Sequence, residues 1–216
     1  MEIQDFIKRR FSEVIVYPDS DGKPMADNTL QALWIIMLYN NLRGIVDLDE
    51  VFIAADHLWY PIEGDPKTRI APDVMVVIGR PDGYRGSYKQ WLEEDMAPQV
   101  VFEVLSPSST EEEMLQKLNF YEKFGVEEFI ILDPEKGGFE AYVRKEEKLV
   151  QHSIKRKEWT SPTLSVQFSI EKGKLLAKHK DGSPFKTFTE LKNEKEGLKS
   201  ENEKLKARLR ELGEDV

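Results

Sequence analysis

Two acidic residues stand inside apolar segments of the sequence. Asp73 lies between a proline and the run VMVVI, and Glu103 lies inside the run QVVFEVL. Such runs predict buried β-strands, where an ionised carboxylate is unstable unless it is paired, hydrogen-bonded or bound to a cation. Two carboxylates on neighbouring strands favour a cation such as Mg²⁺, which takes carboxylate, carbonyl and water oxygens as ligands. A bound Mg²⁺ polarises phosphoryl oxygens and lowers the pKa of water, which suits phosphodiester hydrolysis.

Lys117 is the candidate for a positive charge beside these carboxylates, since a lysine can stabilise the charge of a scissile phosphate. It lies in the segment SSTEEEMLQKLNFYEKFG, which predicts a helix with a Ser or Thr cap, glutamates in its first turn and a glycine stop. The apolar residues of its predicted sheet-facing stripe are Met114, Leu118 and Tyr121. Lys117 lies on the same stripe, so we expect it to face the sheet.

The elements around these residues alternate in a simple order. The segment TLQALWIIMLYNNL predicts a helix over residues 29–42, capped by Asn28, and three strand-like stretches follow within residues 46–59, 69–78 and 99–105. After the helix that carries Lys117, EFIIL and residues 139–144 predict a hairpin. The residues expected on the buried stripe of the first helix are Leu30, Leu33, Trp34, Met37, Leu38 and Asn41. This order predicts an α/β or α+β domain, a mixed sheet flanked by helices.

Three linked segments, APDVMVV, QVVFEVLSPSS and EEEMLQKLNFYEKFGVEEFIILDP, resemble the Uma-type family of proposed restriction endonucleases. The resemblance extends over about residues 17–170. That family, which is abundant in cyanobacteria, belongs to the PD-(D/E)XK nuclease superfamily, whose restriction-endonuclease-like core has the order αβββαβ. The resemblance therefore implies cleavage of DNA that depends on Mg²⁺, with Mn²⁺ as a substitute.

The family pattern carries over to particular residues of this chain. Asp73 matches the acid of the PD element, and Glu103 matches the acid of the second element. The lysine expected two places later is replaced by Leu105, and the resemblance implies that Lys117 is that lysine, moved to the following helix. By the same analogy, the main-chain carbonyl of Val104 is the third metal ligand.

Further residues are candidates at the edge of the site. The resemblance implies that Gln31, on the first helix, approaches the site from the other side. Tyr121 is expected to pack, with the alternative that its hydroxyl lies at the rim of the site. The loop of residues 80–91 mixes three cations with aromatic residues, which suits contact with nucleic acid but equally a surface loop or a subunit contact. The cations are Arg80, Arg85 and Lys89.

Each residue also has a purely structural interpretation. Asp73 could bond local amides at a strand end, Glu103 could pair with a core arginine, and Lys117 could extend its amine to solvent from a packed stem. His57 and His152 are solitary, which favours structural or exposed roles over metal binding. The net charge of −9 argues against a protein that coats nucleic acid by bulk electrostatics. The alternative function is therefore a catalytically inactive nuclease-fold module used for nucleic-acid binding or assembly.

Composition sets the remaining limits. The chain of 216 residues has no cysteine and 3 histidines, which excludes thiolate metal sites and leaves oxygen as the ligand atom for any metal. It contains no apolar run of 18 residues, so we expect no membrane span and a cytoplasmic protein.

The sequence predicts a nuclease domain over residues 1–185 and a separate helix over residues 186–216. Leucines recur every seven residues in this tail, at Leu191, Leu198, Leu205 and Leu212. If these are d positions of a coiled coil, the a positions are Phe188, Lys195, Asn202 and Leu209. Asn202 favours a parallel dimer, whereas Gly197 and the polar a residues weaken the seam. We expect a homodimer, with a tetramer as one alternative and a solvated helix on its own domain as another.

Overall fold

The computed structural model of the protein describes residues 15–152 and 157–212. Helix α1 (Thr29–Arg43) is followed by β1 (Val51–Ala55), β2 (Trp59–Tyr60), β3 (Val74–Ile78), β4 (Tyr88–Lys89), a 3₁₀ turn (Gln90–Leu92), β5 (Val100–Val104) and helix α2 (Glu111–Lys123). Then come β6 (Glu128–Asp133), β7 (Gly138–Lys145), β8 (Lys148–Gln151), β9 (Glu158–Thr160), β10 (Gln167–Glu171), β11 (Lys174–Lys178) and helix α3 (Phe188–Glu211).

Six of these strands form one mixed sheet in the order β1-β3-β5-β6-β7-β8. Strand β3 is antiparallel to both β1 and β5, whereas β5 and β6 are parallel and are joined through α2. Two smaller sheets, β2-β4 and β11-β10-β9, complete the described strands. The series α1, β1, β3, β5, α2, β6 has the predicted αβββαβ order, and the mixed sheet flanked by helices confirms the α/β prediction.

The six-stranded sheet is covered on both faces. Neighbouring residues of a strand point to opposite faces, so each strand contributes side chains to both hydrophobic clusters. Val74 and Phe102 belong to the hydrophobic cluster on the side of α1, which the β9–β11 sheet also covers. Met75 and Val101 belong to the cluster on the side of α2. The register sets Val74 opposite Phe102 and Met75 opposite Val101. Side chains at this level of β3 and β5 therefore point in matched pairs toward one helix or the other.

Helix α1 has its predicted cap but a different buried face. The side chain of Asn28 accepts a hydrogen bond from the backbone N–H of Gln31, as expected. The residues that the helix buries are Gln31, Trp34, Ile35, Leu38, Asn41 and Leu42. Leu30 and Leu33, which the sequence pattern placed on the buried stripe, are exposed. The stripe prediction was therefore wrong at Leu30 and Leu33 and right at Trp34, Leu38 and Asn41, because polar Gln31 faces inward and hydrogen-bonds with Val104 and Asp27.

The predicted α2 and the hairpin after it are confirmed. Thr110 caps α2 by accepting from the N–H of Glu113, and the chain leaves the helix through Gly125, whose φ of +92° favours glycine. Strands β6 and β7 pair as an antiparallel hairpin. The expectation that Asp73 lies inside a strand needs correction. It occupies a bend just before β3, next to Pro72, which has no N–H to donate to a sheet ladder.

Glu128 is a third carboxylate buried in an apolar strand, and its partners are neutral groups. It accepts from the Ser161 hydroxyl at 2.5 Å and from the Thr163 N–H at 2.7 Å. Replacing Glu128 with alanine is expected to lower the free energy of unfolding by about 3 kcal/mol, since both donors would stay buried without an acceptor. Chemical denaturation of the variant measures this loss. A loss below about 1 kcal/mol would show that water replaces the carboxylate.

Helix α3 is separated from the packed part of the chain. Its first turn has a capping box formed by Thr187 and Glu190, and none of its residues is buried. Both the boundary at residue 185 and the choice between a coiled coil and a solvated helix on its own domain stay predictions. Among the described residues, no helix is long and apolar enough to cross a membrane.

Candidate active site

Asp73 and Glu103 lie side by side at one end of the antiparallel pair β3/β5. The register ends at Val74↔Phe102, and Asp73 and Glu103 are the next residue of each chain segment beyond that pair. The Glu103 side chain points toward α2, where it contacts Lys117 and Tyr121. The Oδ2 atom of Asp73 accepts a hydrogen bond of 2.6 Å from the N–H of Val104. The Asp73 carboxylate thus accepts the N–H that a carbonyl of a neighbouring strand would otherwise accept. Its other oxygen has no hydrogen-bond donor among the described residues and could bind a ligand.

Glu103 is 1% exposed and is held by two side chains of α2. The Lys117 ammonium lies 2.7 Å from its Oε2 atom, and the Tyr121 hydroxyl donates to its Oε1 atom. Lys117 and Tyr121 are four residues apart, so they occupy successive turns of one helix face. Lys117 therefore faces the sheet as the sequence predicts, and the buried partner of Glu103 is this lysine instead of a core arginine.

The electrostatics of the site show a deficit of positive charge. Burial and the neighbouring Glu103 carboxylate raise the pKa of Asp73 from 3.8 to about 8, against the opposing effects of the Val104 N–H and Lys117. Burial likewise raises the pKa of Glu103, although Lys117 and Tyr121 oppose it. Burial disfavours the Lys117 ammonium, but the Glu103 carboxylate outweighs this and raises the pKa of Lys117. Lys117 thus lowers the pKa of both carboxylates, and a bound cation would relieve the remaining repulsion between Asp73 and Glu103.

Gln31 reaches the same place from the opposite side of the sheet. Its Nε2 atom donates to the carbonyl of Val104 at 2.8 Å, and its Oε1 atom accepts from the N–H of Asp27 at the same distance. Asp27 in turn accepts from the hydroxyls of Ser106 and Ser108. These two hydrogen bonds, that of Ser108 first, lower the pKa of Asp27. The Val104 carbonyl is therefore fixed in orientation, with one lone pair used by Gln31.

These groups open into a cavity of about 450 Å³. Besides the predicted residues, it is lined by charged side chains that the sequence analysis did not single out: Asp21, Lys23, Asp27, Asp56, Arg69 and Glu113. Burial, together with Asp21, raises the pKa of Asp56. Ser108 and Ser109 also line the cavity, although their positions in the sequence indicated only helix caps.

The loop cations lie away from this cavity, and none of the three lines it. Arg80 follows the far end of β3, about 20 Å from Asp73 at the usual strand rise, and pairs with Glu94 at 2.8 Å. Arg85 pairs with Glu93 at 2.7 Å and stacks over Phe52. The Lys89 ammonium lies 5.5 Å from the centre of the Tyr17 ring. Their contact with nucleic acid stays a prediction.

The two solitary histidines also pack away from the carboxylates. The His57 ring lies edge-on to Phe52, and the His152 ring lies 6.3 Å from that of Trp159. Neither residue lines the cavity. This placement agrees with a structural role for both.

The donor set fits a hard divalent cation. Among the described residues, no group of three or more His, Cys, Asp or Glu side chains is arranged to hold a metal ion. Two carboxylates and one carbonyl suffice for Mg²⁺, which usually keeps several waters and needs only one or two carboxylates from the protein. The pKa of Asp73 is raised by burial and by the Glu103 carboxylate, and a bound cation would oppose both effects.

A family model described as "Putative restriction endonuclease", Uma2, matches residues 20–173. The chain belongs to the Uma2 family. The matched range contains α1, the strands of the mixed sheet, α2 and every residue of the site described above, and it ends before α3. The family resemblance seen in the sequence is therefore confirmed.

A solved relative of the Uma2 chain is a "putative nuclease belonging to DUF820 from Anabaena variabilis ATCC 29413". It is 14% identical, with a TM-score of 0.49, over 76% of this chain and 91% of that chain. No functionally curated protein matches the Uma2 chain.

Metal affinity is expected to depend on pH because a ligand must lose its proton before it binds the metal. With the pKa of Asp73 at about 8, the metal-free site holds a proton at lower pH. The affinity for Mn²⁺ should therefore rise by up to about tenfold per pH unit until about pH 8 and then level off. Calorimetric titration between pH 6 and 9 measures this. An affinity that is constant over the range would mean that Asp73 is no ligand.

Proposed function

We propose that this Uma2 protein is a divalent-metal-dependent endonuclease that hydrolyses phosphodiester bonds of DNA. The observation that carries the proposal is the convergence of Asp73, Glu103, the Val104 carbonyl and Lys117 on one cavity. Two acids, a carbonyl and an amine are the groups that a metal-dependent phosphodiesterase needs at the scissile phosphate. The site corresponds to a PD-(D/E)XK site whose lysine lies on the following helix.

Asp73, Glu103 and the Val104 carbonyl would hold the cation, with Mg²⁺ as the natural ion and Mn²⁺ as a substitute. When bound, the ion would polarise a phosphoryl oxygen and lower the pKa of a water. Gln31 is a positioning residue, because it orients the Val104 carbonyl through a hydrogen bond of 2.8 Å. Tyr121 positions Glu103 in the same way, by donating to the carboxylate oxygen that Lys117 does not contact.

Lys117 provides the positive charge that stays with the protein. Its raised pKa keeps it an ammonium at neutral pH, and its side chain is 19% exposed at the cavity. An ammonium in that position can orient the attacking water and stabilise negative charge that develops on the phosphate. It also neutralises Glu103 when the cation is absent, so the buried carboxylate is never without a partner.

The DNA backbone would be bound by the two cations at the cavity wall, Lys23 and Arg69. Both line the cavity, and Arg69 is braced by donating to the Pro66 carbonyl at 3.2 Å. Contacts of this kind fix the register of a duplex without reading its sequence. They are local, which reconciles DNA binding with a net charge of −9. We further propose that the protein is cytoplasmic. We also propose a homodimer, with a tetramer as the alternative, because a DNA duplex offers two strands for cleavage.

Incubation of supercoiled plasmid with the full chain tests the proposal. Nicked and linear products are expected with Mg²⁺ or Mn²⁺ and are expected to disappear with EDTA. Glu103→Gln should lose the activity, whereas Glu128→Gln should keep it, because Glu128 is an equally buried strand carboxylate outside the cavity. A labelled RNA of matched sequence shows whether cleavage is restricted to DNA.

No cleavage with either cation, in a protein that unfolds cooperatively, would contradict the enzymatic proposal. The inactive-module alternative would then account for the fold. Cleavage that persists in EDTA, or that Glu103→Gln retains, would contradict the proposed site.

A further inference from the structure

Among the described residues, none covers the amphipathic helix α3. Its d-position leucines are between 48% and 66% exposed, and no residue of the helix is buried. A single helix of 24 residues with this exposure gains little from packing in water and is only marginally stable by itself. Its apolar stripe has the seven-residue period that fits a second helix.

We propose that α3 pairs with α3 of a second copy of this chain as a parallel, in-register coiled coil. Charged residues flank the apolar seam at the e and g positions of the heptad, and their signs favour this arrangement. With the leucines at d, the g positions include Glu194 and Glu201 and the e positions include Lys199 and Lys206. In a parallel pair each g residue faces the e residue five places later on the partner helix. Glu194 then faces Lys199, and Glu201 faces Lys206, with opposite charges each time.

The same pattern disfavours the antiparallel arrangement. In an antiparallel pair g faces g and e faces e, so glutamates would meet glutamates and lysines would meet lysines. Like-charge contacts of this kind suppress the wrong partner. Asn202, at an a position, also favours the parallel arrangement, because in a parallel register it meets Asn202 of the second copy and can hydrogen-bond with it. Glu194 also pairs with Lys186 at 2.5 Å, which holds its carboxylate beside the first half of the seam.

The chain just before α3 is fixed to the packed body. Phe185 is buried in the core, and Asn41 of α1 bonds both the N–H and the carbonyl of Lys186, at 3.1 and 2.8 Å. A parallel pair therefore brings two bodies together at the amino-terminal end of the coiled coil. In an antiparallel pair, the amino-terminal ends of the two α3 helices would lie about 36 Å apart, since each helical residue adds about 1.5 Å. The two bodies would then be at opposite ends of the coiled coil. The parallel pair would present two active sites to one DNA duplex, a consequence that rests on the proposed function.

Disulfide cross-linking of the full chain tests the orientation cleanly, because the protein has no cysteine of its own. Leu191→Cys and Leu205→Cys are made separately and oxidised. In a parallel register each cysteine meets its own copy, so both variants are expected to form covalent dimers. An antiparallel pair lets at most one position meet itself. Ser200→Cys, on the outer f position, is the matched control and should form no covalent dimer under the same oxidation.

Charge reversal tests the specificity of the seam by sedimentation velocity. The variants Glu194→Lys/Glu201→Lys and Lys199→Glu/Lys206→Glu should each dissociate, with dimer affinity at least tenfold weaker, and their mixture should associate again. Glu196→Lys/Glu203→Lys makes the same change at outer b positions and should stay dimeric. Because α3 has no buried residue, thermal unfolding of the body should be unchanged in all of them.

A monomeric wild type, a higher oligomer, cross-linking at only one of the two leucine positions, or dissociation of the b-position control would overturn the proposal. Neither readout involves cleavage or metal. Failure here is therefore distinguishable from failure of the proposed nuclease function.

Discussion

Asp73→Asn is expected to abolish metal-dependent plasmid cleavage, with a loss of about a thousandfold or more. The variant keeps an oxygen that can accept from the Val104 N–H, so the local hydrogen bond survives. It removes the anionic ligand, and a bound cation supplies several kcal/mol of transition-state stabilisation at about 1.4 kcal/mol per factor of ten. Initial nicking rates in Mg²⁺ and in Mn²⁺ measure the loss. Glu113→Gln, which removes a carboxylate at the rim of the same cavity, is the matched control and should keep most of the activity.

Stability provides an independent check that Asp73→Asn keeps its fold. The folded pKa of Asp73, about 8, lies above its ordinary value of 3.8. The metal-free wild type should therefore lose stability relative to the variant as pH rises from about 4 to about 8, because the unfolded chain ionises first. In EDTA the Tm of the variant minus that of the wild type should grow over this window. Cleavage by the variant at the wild-type rate would contradict the role of Asp73.

Lys117→Met is expected to separate cleavage from metal binding. Cleavage should fall by about 10²–10³-fold, because a preorganised positive charge next to the phosphate is lost. Binding of Mn²⁺ should remain, since Asp73, Glu103 and the Val104 carbonyl are unchanged. Plasmid cleavage and calorimetric titration of the same preparation measure the two properties. Lys123→Met, at an exposed position of the same helix that lines no part of the cavity, is the control and should affect neither.

The same variant should be less stable than the wild type when metal is absent. It leaves the Glu103 carboxylate buried with only Tyr121 as a partner, and removal of one member of a buried ion pair costs about 3 kcal/mol. The loss should be larger at pH 8 than at pH 5, because burial raises the pKa of Glu103 and protonation relieves the charge at lower pH. Cleavage by Lys117→Met at the wild-type rate would contradict a role of the Lys117 amine in cleavage. Its role would then be only to stabilise the buried Glu103 carboxylate.

The order of elements was predictable because each segment carries its own local signal. Asn28 and Thr110 cap the two flanking helices as expected, and the apolar runs around Asp73 and Glu103 became β3 and β5. The inward face of α1 was predictable only in part: Trp34, Leu38 and Asn41 are buried as expected, but Leu30 is exposed and Gln31 faces inward. The burial of Gln31 depends on its hydrogen bond to the main chain of Val104, 73 residues away. Periodicity records only the positions of apolar residues, so it favoured Leu30.

The core of the site was visible in sequence because a charge inside an apolar strand or on a helix stripe is energetically unusual. This signal identified Asp73, Glu103 and Lys117. Asp27 gave no such signal, because it stands in a polar loop and meets Ser106 only across 79 residues. Arg69 was missed because a single arginine at the start of the predicted strand stretch 69–78 does not indicate a site. For the loop of residues 80–91 the sequence left nucleic-acid contact, a surface loop and a subunit contact equally open; the fold pairs Arg85 with Glu93, and contact with nucleic acid stays a prediction.

The central claim is that Asp73 and Glu103 form a cation site, and calorimetric titration of Mn²⁺ at pH 8.5 tests it most directly. At this pH Asp73 is mostly ionised, so its proton does not mask the binding. Wild type is expected to bind Mn²⁺ at the site, and Asp73→Asn is expected to bind it at least tenfold more weakly, with Glu128→Gln unchanged. Absence of binding by the wild type, or equal affinity in wild type and Asp73→Asn, would contradict the account and leave the two carboxylates as structural groups.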